Sequence, residues 1–227
     1  MTPVAFKRSI RDLQVWCSSC MVAFSGSDPI GVLIGAKRPS GTLIHTIAVH
    51  PDHRRQGHGR HLLASLSSKL AILGPPRLVA EVPERLTAAC GLFSACGYVE
   101  EAVLTDYVLE RPATSERGDA ARVEGFVIPI TIADLAANGL LVADPQVCWK
   151  RSVETLTARR DDIAGLAVAS EEQIEACILY TNDREIVLLR SFVDDGGVRL
   201  PQLLSRLGTG TFRFPKVHLA EISKGLL

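Results

Sequence analysis

Apolar and polar positions along this 227-residue chain recur with two periods. Phe6, Ile10 and Leu13 stand at i, i+4 and i+7, which predicts a helix over 4–13. Short apolar runs bounded by turn residues follow and read as strands over 20–24, 30–35 and 42–49. Ser25-Gly26-Ser27-Asp28-Pro29 and Lys37-Arg38-Pro39-Ser40-Gly41 supply the turns between them. A helix over 61–70 is stopped by Leu73-Gly74-Pro75-Pro76, because glycine caps a helix and proline cannot continue one. Residues 77–82 read as a strand, 84–96 as a helix ended by Gly97, and 103–109 as a closing strand. The small polar stretch 112–121 reads as a linker.

The second half repeats the theme. A strand is expected over 126–132, with Pro129 marking it as an edge. A helix follows over 133–141, then a charged amphipathic helix over 150–163 with Val153, Leu156 and Ile163 as its stripe. Strands over 165–169, 174–180 and 185–193, a helix over 198–207 and a strand over 217–222 complete the pattern.

The segment from Val49 to Arg60, Val-His-Pro-Asp-His-Arg-Arg-Gln-Gly-His-Gly-Arg, joins the strand over 42–49 to the helix that follows. Alternating glycines among arginines at such a junction let backbone N–H groups converge on a phosphate, and the helix end adds its dipole. A Walker loop needs Lys-Ser/Thr after its last glycine, whereas Arg60-His61 stands here. A dinucleotide loop needs a third glycine where this chain has Leu62. What remains is Arg54-x-x-Gly57-x-Gly59 after a strand ending in Val-His-Pro; the blander reading is an arginine-rich turn before an ordinary helix.

That pattern, in that strand–loop–helix frame, resembles the acyl-coenzyme-A loop of the GNAT acetyltransferase superfamily. The order of elements over residues 3–111 is similar to the GNAT order from its second helix to its end. The second half is similar to it from the first strand to the fifth. The resemblance implies an α/β (α+β) chain of two GNAT-like domains, each a mixed, mostly antiparallel sheet flanked by helices. The first domain is placed at 1–111, the linker at 112–121 and a degenerate second domain at 122–227. No room exists before residue 3 for the family's first strand and helix, so an edge strand is missing unless a later segment supplies it. An exposed edge makes a homodimer an expectation. After Ser191-Phe192-Val193 the second copy reads Asp194-Asp195-Gly196-Gly197, shorter and acidic, so it is not expected to hold a pyrophosphate.

Composition narrows the function classes. Lysine and arginine (25) balance aspartate and glutamate (25), and 47% of residues are hydrophobic. Bulk charge therefore gives no support to nucleic-acid or membrane partners. The cluster of His53, Arg54, Arg55, His58, Arg60 and His61 reads as a phosphate site. No apolar run approaches the ~18 residues of a membrane span, and residues 1–8 lack the order of a signal peptide. Six cysteines include one Cys17-Ser18-Ser19-Cys20 pair. A structural zinc normally takes four ligands, so no metal is expected. Reduced thiols in the cytoplasm are the expectation.

The resemblance further implies that acetyl-CoA is the co-substrate and that an amine of an acceptor attacks its thioester within a ternary complex. By position, the backbone of Ile47, Ala48 and Val49 would pair with the pantetheine. Arg55, Gln56, Gly57, His58, Gly59 and Arg60 would surround the pyrophosphate, and Arg54 would reach a phosphate or brace the loop. His45, on the face of Ile47 and Val49 by alternation, and Glu81 are the candidate bases. A histidine held in the sheet and an ordinary surface carboxylate are the competing readings. The family usually carries an acid tyrosine four residues before the glycine of a G-F/Y ending. Here the ending is Gly97-Tyr98 and that position is Phe93, which cannot donate a proton. The thiolate then leaves with solvent help, or Ser94 or Tyr107 intervenes, or the protein is a non-catalytic acyl-CoA-binding module.

Overall fold

The computed structural model describes residues 2–111, 126–144, 147–194 and 198–218. The chain forms two compact units, Met1–Glu101 and Ala102–Leu227. The linker expected at 112–121, Asp195 to Gly197 and the end of the last strand lie outside the described residues.

In the first unit, helix α1 (Pro3–Leu13) opens with proline, which is tolerated where helix N–H groups lack partners. Strands β1 (Met21–Ser25), β2 (Asp28–Arg38) and β3 (Gly41–Val49) form an antiparallel meander, and β4 (Leu78–Ala80) lies parallel to β3. β1 is an edge of this sheet. Helix α2 (His58–Leu73) lays Leu62, Leu63, Leu66 and Leu70 against Leu33, Ile44 and Phe93. Their i, i+1, i+4, i+8 spacing makes one apolar stripe, and each fully buried leucine contributes about 2 kcal/mol. α2 stops at Gly74, whose N–H donates to Leu70 C=O at 2.7 Å. A Cβ on Gly74 would meet Leu70 at 2.6 Å, so the close turn requires glycine. Helix α3 (Thr87–Ala95) carries Phe93 into the same core.

The second unit has a core on each face of its sheet. β6 (Phe126–Pro129), β7 (Ile163–Ala169), β8 (Ile174–Thr181) and β9 (Ile186–Ser191) pair antiparallel in that order, with Pro129 on the edge strand as expected. Ala167, Cys177, Leu179 and Val187 pack with Leu135 of α4 (Ile132–Ala137) and Leu156 of α5 (Val153–Ala158). Val168, Ala176, Ile178 and Ile186 pack with Leu200 and Leu203 of α6 (Arg199–Arg206) and with Phe212, Phe214 and Val217 of β10 (Gly210–His218). Cover on both faces explains why β8 reads as a nearly unbroken apolar run. Burial pushes the Cys177 thiol up to about 12, against the pull of Arg190, and keeps it an inert core group.

Three sequence expectations change. The closing strand of the first domain, β5 (Leu104–Arg111), pairs antiparallel with β10 and clusters with the second unit. The single helix expected over 150–163 is instead a tight turn at Trp149–Arg151, the short α5 and a second turn at Arg160–Asp162. Ile163, counted into its stripe, begins β7. The last strand starts at Gly210, seven residues before the expected Val217, because alternating Phe212 and Phe214 face the core.

Candidate functional site

The geometry that matters begins where β3 and β4 part. They pair through Thr42–Leu78, Leu43–Val79 and Ile44–Ala80, and no described strand pairs with that edge of β3 from His45 to Val49. His50 N–H donates to Ile30 C=O on β2 at 2.8 Å. Backbone groups alternate sides along a strand, so Ala48 also turns to β2 while Ile47 and Val49 direct N–H and C=O to the parted edge. An extended chain carrying amides fits such an edge as an added strand.

The next residues after the Ile44–Ala80 pair are His45 and Glu81, so the parting brings the two candidate bases to the mouth of the cleft, one on each strand. Both are half-buried. β3 carries a bulge here: Ile34 opposes Thr46 and Gly35 opposes Ile44, leaving His45 as the extra residue. Ile44 and Ile47 consequently face the same core although three positions apart.

Beyond Val49 the chain makes a tight turn at Pro51–His53 and reaches α2 through two left-handed residues, Arg55 (φ 64°) and Gly57 (φ 87°). The loop braces itself. Arg54 Nε donates to Val49 C=O at 3.0 Å, and Gln56 Nε2 donates to Asp52 C=O at 3.1 Å. Of the two roles open to Arg54, the structure shows the bracing one. The helical ladder starts with His61 N–H on Gly57 C=O at 2.9 Å, so the N–H groups of His58, Gly59 and Arg60 precede it. Gly57, the residue before the helix, has no side chain to cap them. Their N–H groups and the positive helix end make an anion site.

The two glycines serve different needs. Gly57 requires glycine for its backbone angle, since a Cβ there would meet nothing within 4 Å. At Gly59 the constraint is space, because a Cβ would stand 3.0 Å from the tip of the Leu92 side chain on α3, which would have to give way. Arg55, Gln56 and Arg60 are exposed, and His58 and Gly59 half-buried. The ring of His53 lies 6.0 Å from that of His50 and 6.2 Å from that of His58. His50, with Asp52 at 3.7 Å, joins the basic rim. Sequence reasoning left His50 out, although its place in Val-His-Pro was the available signal.

Phe93 is buried, its ring set edge-on to Tyr98 with centroids 5.1 Å apart. Burial pushes the Tyr98 hydroxyl up to about 12, with Ser67 pulling the other way. Ser94 is exposed on α3, and Tyr107 belongs to β5 of the second unit.

Residues 3–98 match the Acetyltransferase (GNAT) family. The [ribosomal protein bS18]-alanine N-acetyltransferase of Escherichia coli strain K12 is 38% identical over 77 residues, 34% of this chain and 50% of that protein. The chain thus spans about half the length of the curated relatives it matches. A tandem GNAT protein from the clavulanic acid biosynthesis pathway aligns with 92% of this chain and 78% of its own, with TM-score 0.55 and 14% identity. A Pyrococcus horikoshii protein assigned to the acetyltransferases aligns with 93% and 68%, with TM-score 0.56 and 19% identity. Residues 3–98 are thus similar to the GNAT acetyltransferases, a family whose co-substrate is acetyl-CoA. Over nearly its whole length the fold is similar to that of these two proteins, the first of them a tandem GNAT protein.

Proposed function

We propose that this protein is an N-acetyltransferase that moves the acetyl group of acetyl-CoA to an amine, using the first unit as its cofactor site. The observation that carries this reading is the parted edge of β3 leading directly into the bare N-terminus of α2. The Ile47 backbone and the Val49 N–H pair with the pantetheine amides, the Val49 C=O being held by Arg54, and the His58, Gly59 and Arg60 N–H groups hold the pyrophosphate. Arg55, Gln56 and Arg60 flank it. The amine must be neutral to attack, and His45 or Glu81 at the cleft mouth receives its proton directly or through water. Phe93 leaves the departing thiolate without a tyrosine acid. A thiol pKa near 8.5 makes unassisted departure a modest cost. We place the protein in the reducing cytoplasm, with free cysteines. No helix among the described residues is long and apolar enough to cross a membrane.

The test is calorimetric titration of acetyl-CoA, followed by an amine panel headed by an alanine amine, the acceptor in the E. coli relative's name. Micromolar binding with acetylation of a panel member supports the reading, and no binding at millimolar acetyl-CoA rejects it. Phe93 favours one second reading, a non-catalytic acyl-CoA-binding module. Binding with no acetylation of any panel amine would select it.

A further inference from the structure

The second unit repeats the parted pair of parallel strands, and there the chain's own side chains enter the cleft. β9 and β10 meet at the parallel bridge Glu185–Arg213, where Arg213 N–H donates to Arg184 C=O at 3.0 Å. Two residues further along stand Val187 on β9 and Pro215 on β10. The guanidinium of Arg151 reaches both strands. Nε donates to Val187 C=O at 3.2 Å, and Nη1 faces Lys216 C=O at 3.3 Å and Pro215 C=O at 3.5 Å. Its carbon lies 4.4 Å from the centroid of the Phe214 ring. Arg151 is 3% exposed.

The receiving strand is shaped for this group. The β5–β10 register shifts between Phe214 and Val217, and Lys216 takes φ 54°, a strained value for a residue with a side chain. Lys216 N–H turns the other way, onto Asp106 Oδ1 at 2.8 Å, so the kink is fastened from both sides. A buried cation is tolerated when its donors are met. The planar fork of arginine spans carbonyls on two strands and stacks on a ring, as the compact ammonium of lysine cannot. An independent contact lies at α6, the counterpart of α2. Its first residue, Arg199, donates from Nε to Glu175 on β8 at 2.6 Å, so a protein carboxylate already neutralises a cation at that helix end.

We infer that the second unit carries a built guanidinium site, filled by Arg151, that closes the mouth of its strand parting, level with His45 and Glu81 of the first unit. Arg151 ties β9 to β10, and the Arg199–Glu175 pair occupies the charge that a phosphate would seek. The second unit therefore binds no acyl-CoA, and each chain takes one. That stoichiometry rests on the proposed cofactor reading of the first unit; the guanidinium site does not.

Arg151→Gly in the full chain tests the site by chemical rescue. The variant should unfold on the order of 10 °C below the parent. Measured against the parent in the same salt, the variant's deficit should shrink by a large part in methylguanidinium chloride and not at all in methylammonium chloride, which separates rescue from the general denaturing action of guanidinium. If the variant does not fold, its refolding yield in the two salts reads the same quantity. Parent-like melting of Arg151→Gly, or an equal response to the two cations, overturns the site. Two equivalents of acetyl-CoA bound by the parent overturn the closed cleft. Guanidinium-specific rescue in a protein that binds no acetyl-CoA would keep the site and reject the cofactor reading.

Discussion

The two units solve one problem in opposite ways. Each contains parallel strands that pair briefly and then part, which turns backbone amides toward a gap that no described strand fills. In the first unit the parted edge of β3 continues into a glycine loop and a helix whose leading N–H groups precede its ladder. In the second, Arg151 links the edges of β9 and β10, and α6 begins with an arginine already paired to Glu175. The two gaps differ in how much the protein's own side chains take up: Arg54 takes one carbonyl at the end of the first, and Arg151 takes carbonyls on both strands of the second.

The largest expected effect breaks the filled side. Arg151→Ala strands carbonyls on two strands and should cost about 3–5 kcal/mol, at about 1–3 kcal/mol for each buried acceptor left without a donor, read by denaturant unfolding. Loss of a purely surface arginine would cost under about 0.5 kcal/mol. On the ligand side, Gly59→Asp sets a carboxylate at the anion site and pushes on Leu92. It should weaken acetyl-CoA by at least roughly 100-fold, about 2.7 kcal/mol by calorimetry, with unchanged secondary structure by circular dichroism. Phe93→Tyr should raise kcat roughly tenfold for any acceptor the protein acetylates, about 1.4 kcal/mol, while the KM for acetyl-CoA stays put. No gain in kcat would mean that thiolate departure does not limit the reaction.

The smallest effect lies away from both clefts, at α4. Thr131 and Asp134 cap each other, with Asp134 N–H on Thr131 Oγ1 at 3.2 Å and Thr131 N–H on Asp134 Oδ2 at 2.8 Å. Thr131→Ala should cost about 1 kcal/mol in thermal unfolding. The Thr131 hydroxyl and N–H hold the Asp134 carboxyl below its ordinary value. A depressed folded pKa makes this contribution present above the unfolded value near 4 and lost as pH falls through the folded one. The parent's stability should therefore fall more than that of Asp134→Asn on acidification below pH about 4, and acetyl-CoA stoichiometry should not change.

The open cleft was more legible in sequence than the filled one, for physical reasons. Arg54, Gly57 and Gly59 lie within six residues, and a local loop writes its needs locally: a left-handed angle and a close helix contact. Arg151 sits in a stretch that patterns as a solvated amphipathic helix. Its carbonyl partners stand 36, 64 and 65 residues away, where no local period reaches them. The same limit hid the partner of β5, because a strand's own residues do not name the edge it will join. The bulge at His45 is intermediate: the strand was plain, but no local period announces the one extra residue inside it. Phe93 in place of tyrosine was readable as a residue, and the structure adds its burial against Tyr98.

The most direct measurement counts acetyl-CoA per chain by native mass spectrometry, in the parent and in Gly59→Asp. One equivalent in the parent and none in Gly59→Asp is the predicted result, with the first unit open and the second filled by Arg151. Two equivalents in the parent, or one that survives Gly59→Asp, would contradict it.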